Sequence, residues 1–281
     1  MSKLQSDTEE RAEILAPKRL QERVYVMCVQ YRGNDFSGWQ RQIDQPTVQG
    51  HLEAALTQVA ALPVRIAAAG RTDAGVHATG QIISFTTSSE RSPDAWLKGV
   101  NSLTPKAIQV AWVRQVPSSF HPRYAATARR YNYVYYDQDR FNPFVDGLAW
   151  CTQKLDQDAM HRAAQWLLGE HDFTTFRAAG CQSLSPKRRI NRCEIRRQGH
   201  FVVMEIEASA FLLHMVRNIA SALYDVGIGA PTHSVRDLLL LKDRVRLGVT
   251  APPQGLYLTH VSYPGAGFPP APAVPLLAGG F

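Results

Sequence analysis

The alternation of apolar and polar positions divides the chain into short segments of period two and longer ones of helical period. Residues 23–31 (RVYVMCVQY) are a compact apolar run and read as a buried strand. After Pro46, Thr47 suits a helix N-cap. Apolar residues then recur at Val48, Leu52, Ala55, Leu56 and Val59, the spacing of one helix face. Residues 64–69 and 80–86 (GQIISFT) predict a second and a third strand. Residues 93–101 predict a short helix with Pro93 in its first turn, and 107–116 (AIQVAWVRQV) a fourth strand. The order is β-α-β-β-α-β.

The same order returns with longer connections: a strand at 127–137, a helix at 155–168 and a strand at 188–197. Residues 201–209 alternate, with Val202, Met204, Ile206 and Ala208 on one face. Phe211, Met215, Ile219, Leu223 and Val226 then mark a helix, and 255–263 closes the set. The expected fold class is α+β, two ferredoxin-like halves around a central cleft. The halves are expected at 23–117 and 118–264, meeting near Pro117 to Pro122. They are flanked by an N-terminal extension, 1–22, and a Pro-, Gly- and Ala-rich tail, 265–281, that reads as mobile. A ferredoxin-like half is also the architecture of the RNA-recognition module, but that module's Arg/Lys-Gly-aromatic-Gly/Ala-aromatic strand is absent.

Composition narrows the class. With 281 residues, 45% hydrophobic and 20% charged, the chain can bury a sizeable core, which excludes a disordered polymer or a collagen. A long stretch without Asp, Glu, Lys or Arg, 250–281, is repeatedly broken by proline and cannot be a membrane helix. The opening residues lack the apolar block of a secretory signal, so a soluble, cytoplasmic protein is expected. Cys28, Cys151, Cys181 and Cys193 form no C-x-x-C pair and the histidines no H-x-x-x-H pair, so neither a disulfide framework nor a metal site is expected. The formal net charge of +7 suits a polyanionic partner. Lys187, Arg188, Arg189, Arg192, Arg196 and Arg197 concentrate positive charge; they could track a nucleic-acid backbone or form a solvated strand edge.

The most unusual segment joins the second and third strands: Gly70-Arg71-Thr72-Asp73-Ala74-Gly75-Val76-His77-Ala78-Thr79-Gly80. Its glycines allow sharp turns and close backbone approach, yet it lacks the G-K-[ST] ending and the G-x-G-x-x-G pattern of nucleotide-phosphate loops. Arg71 and Asp73 point the same way if the chain is extended there, and a neighbouring guanidinium favours an ionised carboxylate available as nucleophile or base. Asp73 equally suits an Asx turn, with Arg71 as a solvated surface residue.

The segment Ala69 to Gln81 (AGRTDAGVHATGQ) resembles the catalytic motif of the tRNA pseudouridine synthase A family. Further blocks follow in that family's order: Gly38 to Gln42 (GWQRQ), Phe120 to Tyr124 (FHPRY), Ala128 to Tyr131 (ARRY), Gly169 to Thr174 (GEHDFT), Phe211 to Asn218 (FLLHMVRN) and Gly255 to Leu258 (GLYL). The resemblance spans roughly residues 23–264. It implies a pseudouridine-synthase-type mixed sheet and a cofactor-free isomerase that converts uridine to pseudouridine at positions 38, 39 and 40 of the tRNA anticodon stem-loop, working as a homodimer.

By that resemblance Asp73 is the catalytic carboxylate, attacking the ribose anomeric carbon or the uracil ring, or acting as a base toward a glycal. Tyr131 contacts the target uracil, Arg217 pairs with Asp73 across the two halves, Arg71 takes the space of the flipped base, and Leu256 lines the uracil pocket. Plainer readings stand beside these: Tyr133 and Tyr135 as packing residues, Arg217 as a solvated helix residue, Leu256 as core, and His77 as a polar loop anchor. Two departures from the family lie at Ala68, where Cys is common, and at Tyr31-Arg32-Gly33, where Tyr-Asp-Gly is common. A non-catalytic RNA-binding protein or an Asp73-dependent glycoside hydrolase are the rival functions.

Overall fold

A computed structural model of the chain describes residues 22–138 and 140–278. The first half runs β1 (Arg23–Tyr31), α1 (Val48–Ala60), β2 (Ile66–Ala68), β3 (His77–Thr87), α2 (Pro93–Leu103) and β4 (Ile108–Val116). The expected caps form: Thr47 accepts the Gly50 N–H at the start of α1, and Ser92 accepts the Ala95 N–H at the start of α2, which has Pro93 in its first turn. The second half runs β5 (Ala128–Asp137), β6 (Trp150–Thr152), α3 (Gln157–Ala164), β7 (Gly169–Asp172), β8 (Lys187–Gln198), β9 (Phe201–Ala208), α4 (Met215–Gly227), α5 (Ser234–Leu241) and β10 (Leu256–Ser262).

All ten strands join one mixed sheet, ordered β4-β1-β3-β10-β5-β9-β8-β7, with β2 on β3 and β6 on β5. The halves meet at a parallel seam, where Tyr257 and Leu258 of β10 pair with His77 and Ala78 of β3. One edge of β3 is taken by β1. The other edge passes from β10 at its beginning to β2 at Ile83 to Phe85. That division explains why β2 is shorter than the apolar run 64–69 predicts and β3 longer than 80–86. Gly80 makes the seam possible, because a Cβ there would collide with the Thr259 carbonyl.

Three elements were not legible. β6 and β7 are three and four residues long, too short for a periodicity. α5 is cut from a run, SVRDLLLL, with too few turns to show one. The apolar stripe from Phe211 overreaches: α4 starts at Met215, because His214 is left-handed (φ 58°) and Phe211 and Leu212 precede it in loop. The tail also differs from the mobile segment its composition suggests. Phe268 packs on Trp112, Phe120 and Tyr263, and Val274 is buried with Val134, Tyr136 and Tyr257, so residues 264–278 cross the sheet face opposite Tyr131. The N-terminal extension 1–22 lies, apart from Glu22, outside the described residues. Among the described residues no helix is long and apolar enough to cross a membrane.

Candidate active site

The connection from β2 to β3 must clear β10, and it arches over the face that carries Tyr131 and α4. Its course is fixed by backbone bonds. The Ala69 N–H reaches Ile82 O at 2.8 Å, Gln81 Nε2 donates to Gly70 O at 2.9 Å, and the Trp39 N–H donates to Thr72 O at 3.0 Å. The Thr72 hydroxyl meets the buried Tyr31 phenol at 2.8 Å, and the Val76 N–H closes a turn on Asp73 O at 3.2 Å. Gly38, at φ 95°, lies against this backbone; a Cβ would come within 3.1 Å of Thr72 O and of Ala74 N. The GWQRQ block is therefore the support of the loop.

His77 holds the loop's far end. Its Nδ1 accepts the Gly33 N–H at 3.0 Å, which leaves the proton on Nε2, 3.1 Å from both Gly147 O and Gln254 O. The ring stacks on Tyr257 at 4.6 Å, and burial pulls its pKa down to about 4. His77 is a neutral anchor, as its polar-loop reading expects.

Asp73, with 29% of its side chain exposed, receives Arg217 Nη1 on Oδ2 at 3.1 Å, while Arg217 Nε is held by Ala251 O at 2.8 Å. His214 Nε2 approaches the same Oδ2 at 3.4 Å. His214 and Arg217 stand three positions apart at the N-terminal turn of α4, where the helix dipole also favours an anion. Of the two local readings of the loop, the one that sets Arg71 beside the Asp73 carboxylate is not realised, and Arg71 is solvated. It is exposed and among the described residues has no ion-pair partner, while the Asp73 carboxylate pairs with Arg217 of the second half.

These groups border a cavity of about 750 Å³ that Arg71, Tyr131, Arg217 and Leu256 all line. The Tyr131 ring meets Phe211 edge to face at 5.2 Å. Burial pushes its phenol up to about 12, with Arg129 opposing and Asp73 adding to the rise, so near neutral pH it is a hydrogen-bond donor. Leu256 opens β10 opposite Tyr133 and is buried. Tyr133 and Tyr135 are packing residues, fully buried, with phenols on Pro252 O at 2.8 Å and Ala220 O at 2.7 Å.

Sequence reasoning passed over two contributors. His214 is one; the signal was the His-x-x-Arg spacing inside FLLHMVRN. Arg129 is the other: it donates to Ala69 O at 3.0 Å, Arg123 O at 2.8 Å and Ser209 O at 2.8 Å, tying the loop to the second half. The basic cluster on β8 is largely consumed internally. Arg192 pairs with Glu194 and Glu205, Arg196 with Glu205, and Arg197 with the buried Asp137. Among the described residues no three His, Cys, Asp or Glu side chains gather to hold a metal ion.

The site can be set beside known proteins. The family model described as tRNA pseudouridine synthase matches residues 27–125 and 163–264. The tRNA pseudouridine synthase A of Shewanella baltica is 50% identical over 242 residues, 85% of this chain and 92% of that protein. Its namesake from Pseudoalteromonas atlantica is 48% identical over 241 residues, with the same coverage. A solved Cbf5-Nop10-Gar1 complex overlaps 83% of this chain and 57% of the matched chain at 11% identity and a TM-score of 0.34, a likeness too slight to build on. The two matched blocks contain Arg71, Asp73, His214, Arg217 and Leu256, while Tyr131 lies between them, and on this match and these identities the chain belongs to the tRNA pseudouridine synthase family.

Proposed function

We propose that the protein isomerises uridine to pseudouridine at positions 38, 39 and 40 of the tRNA anticodon stem-loop, with Asp73 as nucleophile and no cofactor. The observation that carries this reading is a carboxylate held through one oxygen by Arg217 and His214, in a cavity bordered by Tyr131. Family membership supports tRNA uridine as the substrate.

In the overall reaction the C1′–N1 bond breaks, the uracil turns, and a C1′–C5 bond forms. N1 ends protonated and the C5 proton leaves, so nothing is oxidised or reduced and side chains alone suffice. Among the described residues Oδ1 of Asp73 has no partner, and it supplies the electron pair. A sugar or base ester of this carboxylate splits one hard step into two easier ones. Tyr131 and Leu256 hold the flipped uracil, and Arg71, which has no ion-pair partner among the described residues, fills the gap left in the stem; flipping costs a few kcal/mol.

The reading extends to two ferredoxin-like halves, 23–117 and 118–264, a tail 265–281, and a homodimer in the cytoplasm. The spatial orders β4-β1-β3-β2 and β10-β5-β9-β8 support the halves: each places its first strand between its last and its third. Incubating the protein with tRNA transcripts tritiated at uracil C5 tests the activity. Isomerisation releases label into water and keeps the base attached. Free uracil would indicate a hydrolase, and binding without release an RNA-binding protein.

A further inference from the structure

Residues 120–124 (FHPRY) open the second half and enter none of the roles above, yet the structure holds them firmly. The Phe120 ring packs on Tyr263 and Phe268. His121 Nδ1 accepts the backbone N–H of Arg123 at 3.2 Å and of Tyr124 at 3.4 Å, which fixes the plane of its ring. The Tyr263 phenol donates to Pro122 O at 2.6 Å, and Arg129 donates to Arg123 O at 2.8 Å. On this pinned turn the Tyr124 ring stacks on His121 at 4.4 Å with 30° between planes, and 79% of the residue is exposed.

A single exposed aromatic ordinarily needs no explanation. Two facts set Tyr124 apart. Its ring is preorganised, so little conformational freedom remains to be lost when a ligand arrives. Tyr124, His121 and Arg123 also line the same 750 Å³ cavity as Asp73, a space larger than one uracil requires. The Arg123 side chain is exposed and among the described residues has no ion-pair partner. A rigid π-face beside a free guanidinium is how proteins hold unpaired nucleotides, stacking the base and meeting the phosphate.

We propose that Tyr124, backed by His121, is a stacking platform for a second nucleobase, that of the nucleotide next to the target uridine, with Arg123 on the adjoining phosphate. The proposal rests on the reading of the cavity as a tRNA site. It assigns the platform no part in bond making; it holds the strand on one side while the target base enters the pocket.

The test uses anticodon stem-loop RNAs carrying 2-aminopurine one nucleotide 5′ or 3′ of the target uridine. These are titrated with the Asp73→Asn protein, which binds without turnover. In one of the two RNAs, stacking on Tyr124 quenches the fluorescence. Adding Tyr124→Ala removes the quench and weakens Kd by about 5- to 150-fold, the range for one lost base stack. Tyr124→Trp keeps both, whereas Tyr124→Leu, which lacks a π-face, behaves as the Ala variant. Unchanged quench and Kd in Tyr124→Ala overturn the proposal. Circular dichroism melting shows that the exposed substitution leaves the fold intact. Tritium release by the wild-type protein, measured alongside, separates the two ideas: its absence overturns the isomerase reading, while quench and Kd report on the platform without turnover.

Discussion

Arg217 donates to Oδ2 of Asp73 across 3.1 Å although the two residues stand 144 positions apart in the chain. With His214 Nε2 3.4 Å from the same oxygen, the carboxylate is asymmetric: Oδ2 carries both contacts and Oδ1 has no partner among the described residues. Such preorganisation removes rotational freedom before the substrate arrives.

Asp73→Asn keeps the shape and loses the charge. Tritium release falls by at least about 10³-fold, as for loss of a nucleophile. Stem-loop affinity by filter binding stays within a few-fold of wild type, because the proposed phosphate and stacking contacts, at Arg123 and Tyr124, lie elsewhere.

Arg217→Ala affects rate and fold together. The change leaves Asp73 with only His214 beside it, at 3.4 Å, and Ala251 O without its donor. Loss of a fully buried charge partner costs more, but Asp73 is part-exposed, so we expect about 1–3 kcal/mol, a drop of several degrees in Tm by calorimetry. A variant with wild-type melting and no activity contradicts the folding half of this prediction.

His214→Gly separates positioning from stability. His214 sits at φ 58°, a region that glycine adopts without steric cost, so the variant melts no lower than wild type within about 1 kcal/mol. It loses the second contact on Oδ2, and kcat falls on the order of ten- to a hundred-fold. His214→Asn, which tolerates the same backbone and retains a donor, recovers part of the rate.

His77 makes stability depend on pH. Its folded pKa, about 4, lies below the ordinary 6.5, so between those values the unfolded chain binds the extra proton. Stability is therefore full above pH 6.5 and declines as pH falls toward 4, by about 3 kcal/mol at most. Urea titrations across that window show a steeper decline for wild type than for His77→Gln.

Much of the scaffold was legible because its elements are half-buried and periodic. β1 occupies the predicted 23–31, and the Thr47 cap starts α1 where expected. The pairing of Asp73 with Arg217 came from resemblance to a family; no local spacing announces a contact made by tertiary folding. The same limit left the role of Arg71 open in the sequence, since alternation along an extended segment does not show which charge the Asp73 carboxylate meets. The tail was misread because Pro and Gly content reports on the absence of helix and strand, while the packing of Phe268 and the burial of Val274 depend on a sheet face that composition does not reveal.

The parallel seam between β3 and β10 is only two residue pairs long, and the loop bearing Asp73 enters β3 at the first of them, His77. The join between the halves and the proposed nucleophile thus share one stretch of backbone. On the proposed function, an RNA that bridged both halves and changed the angle between them would carry the carboxylate with it, joining grip on the substrate to readiness for chemistry.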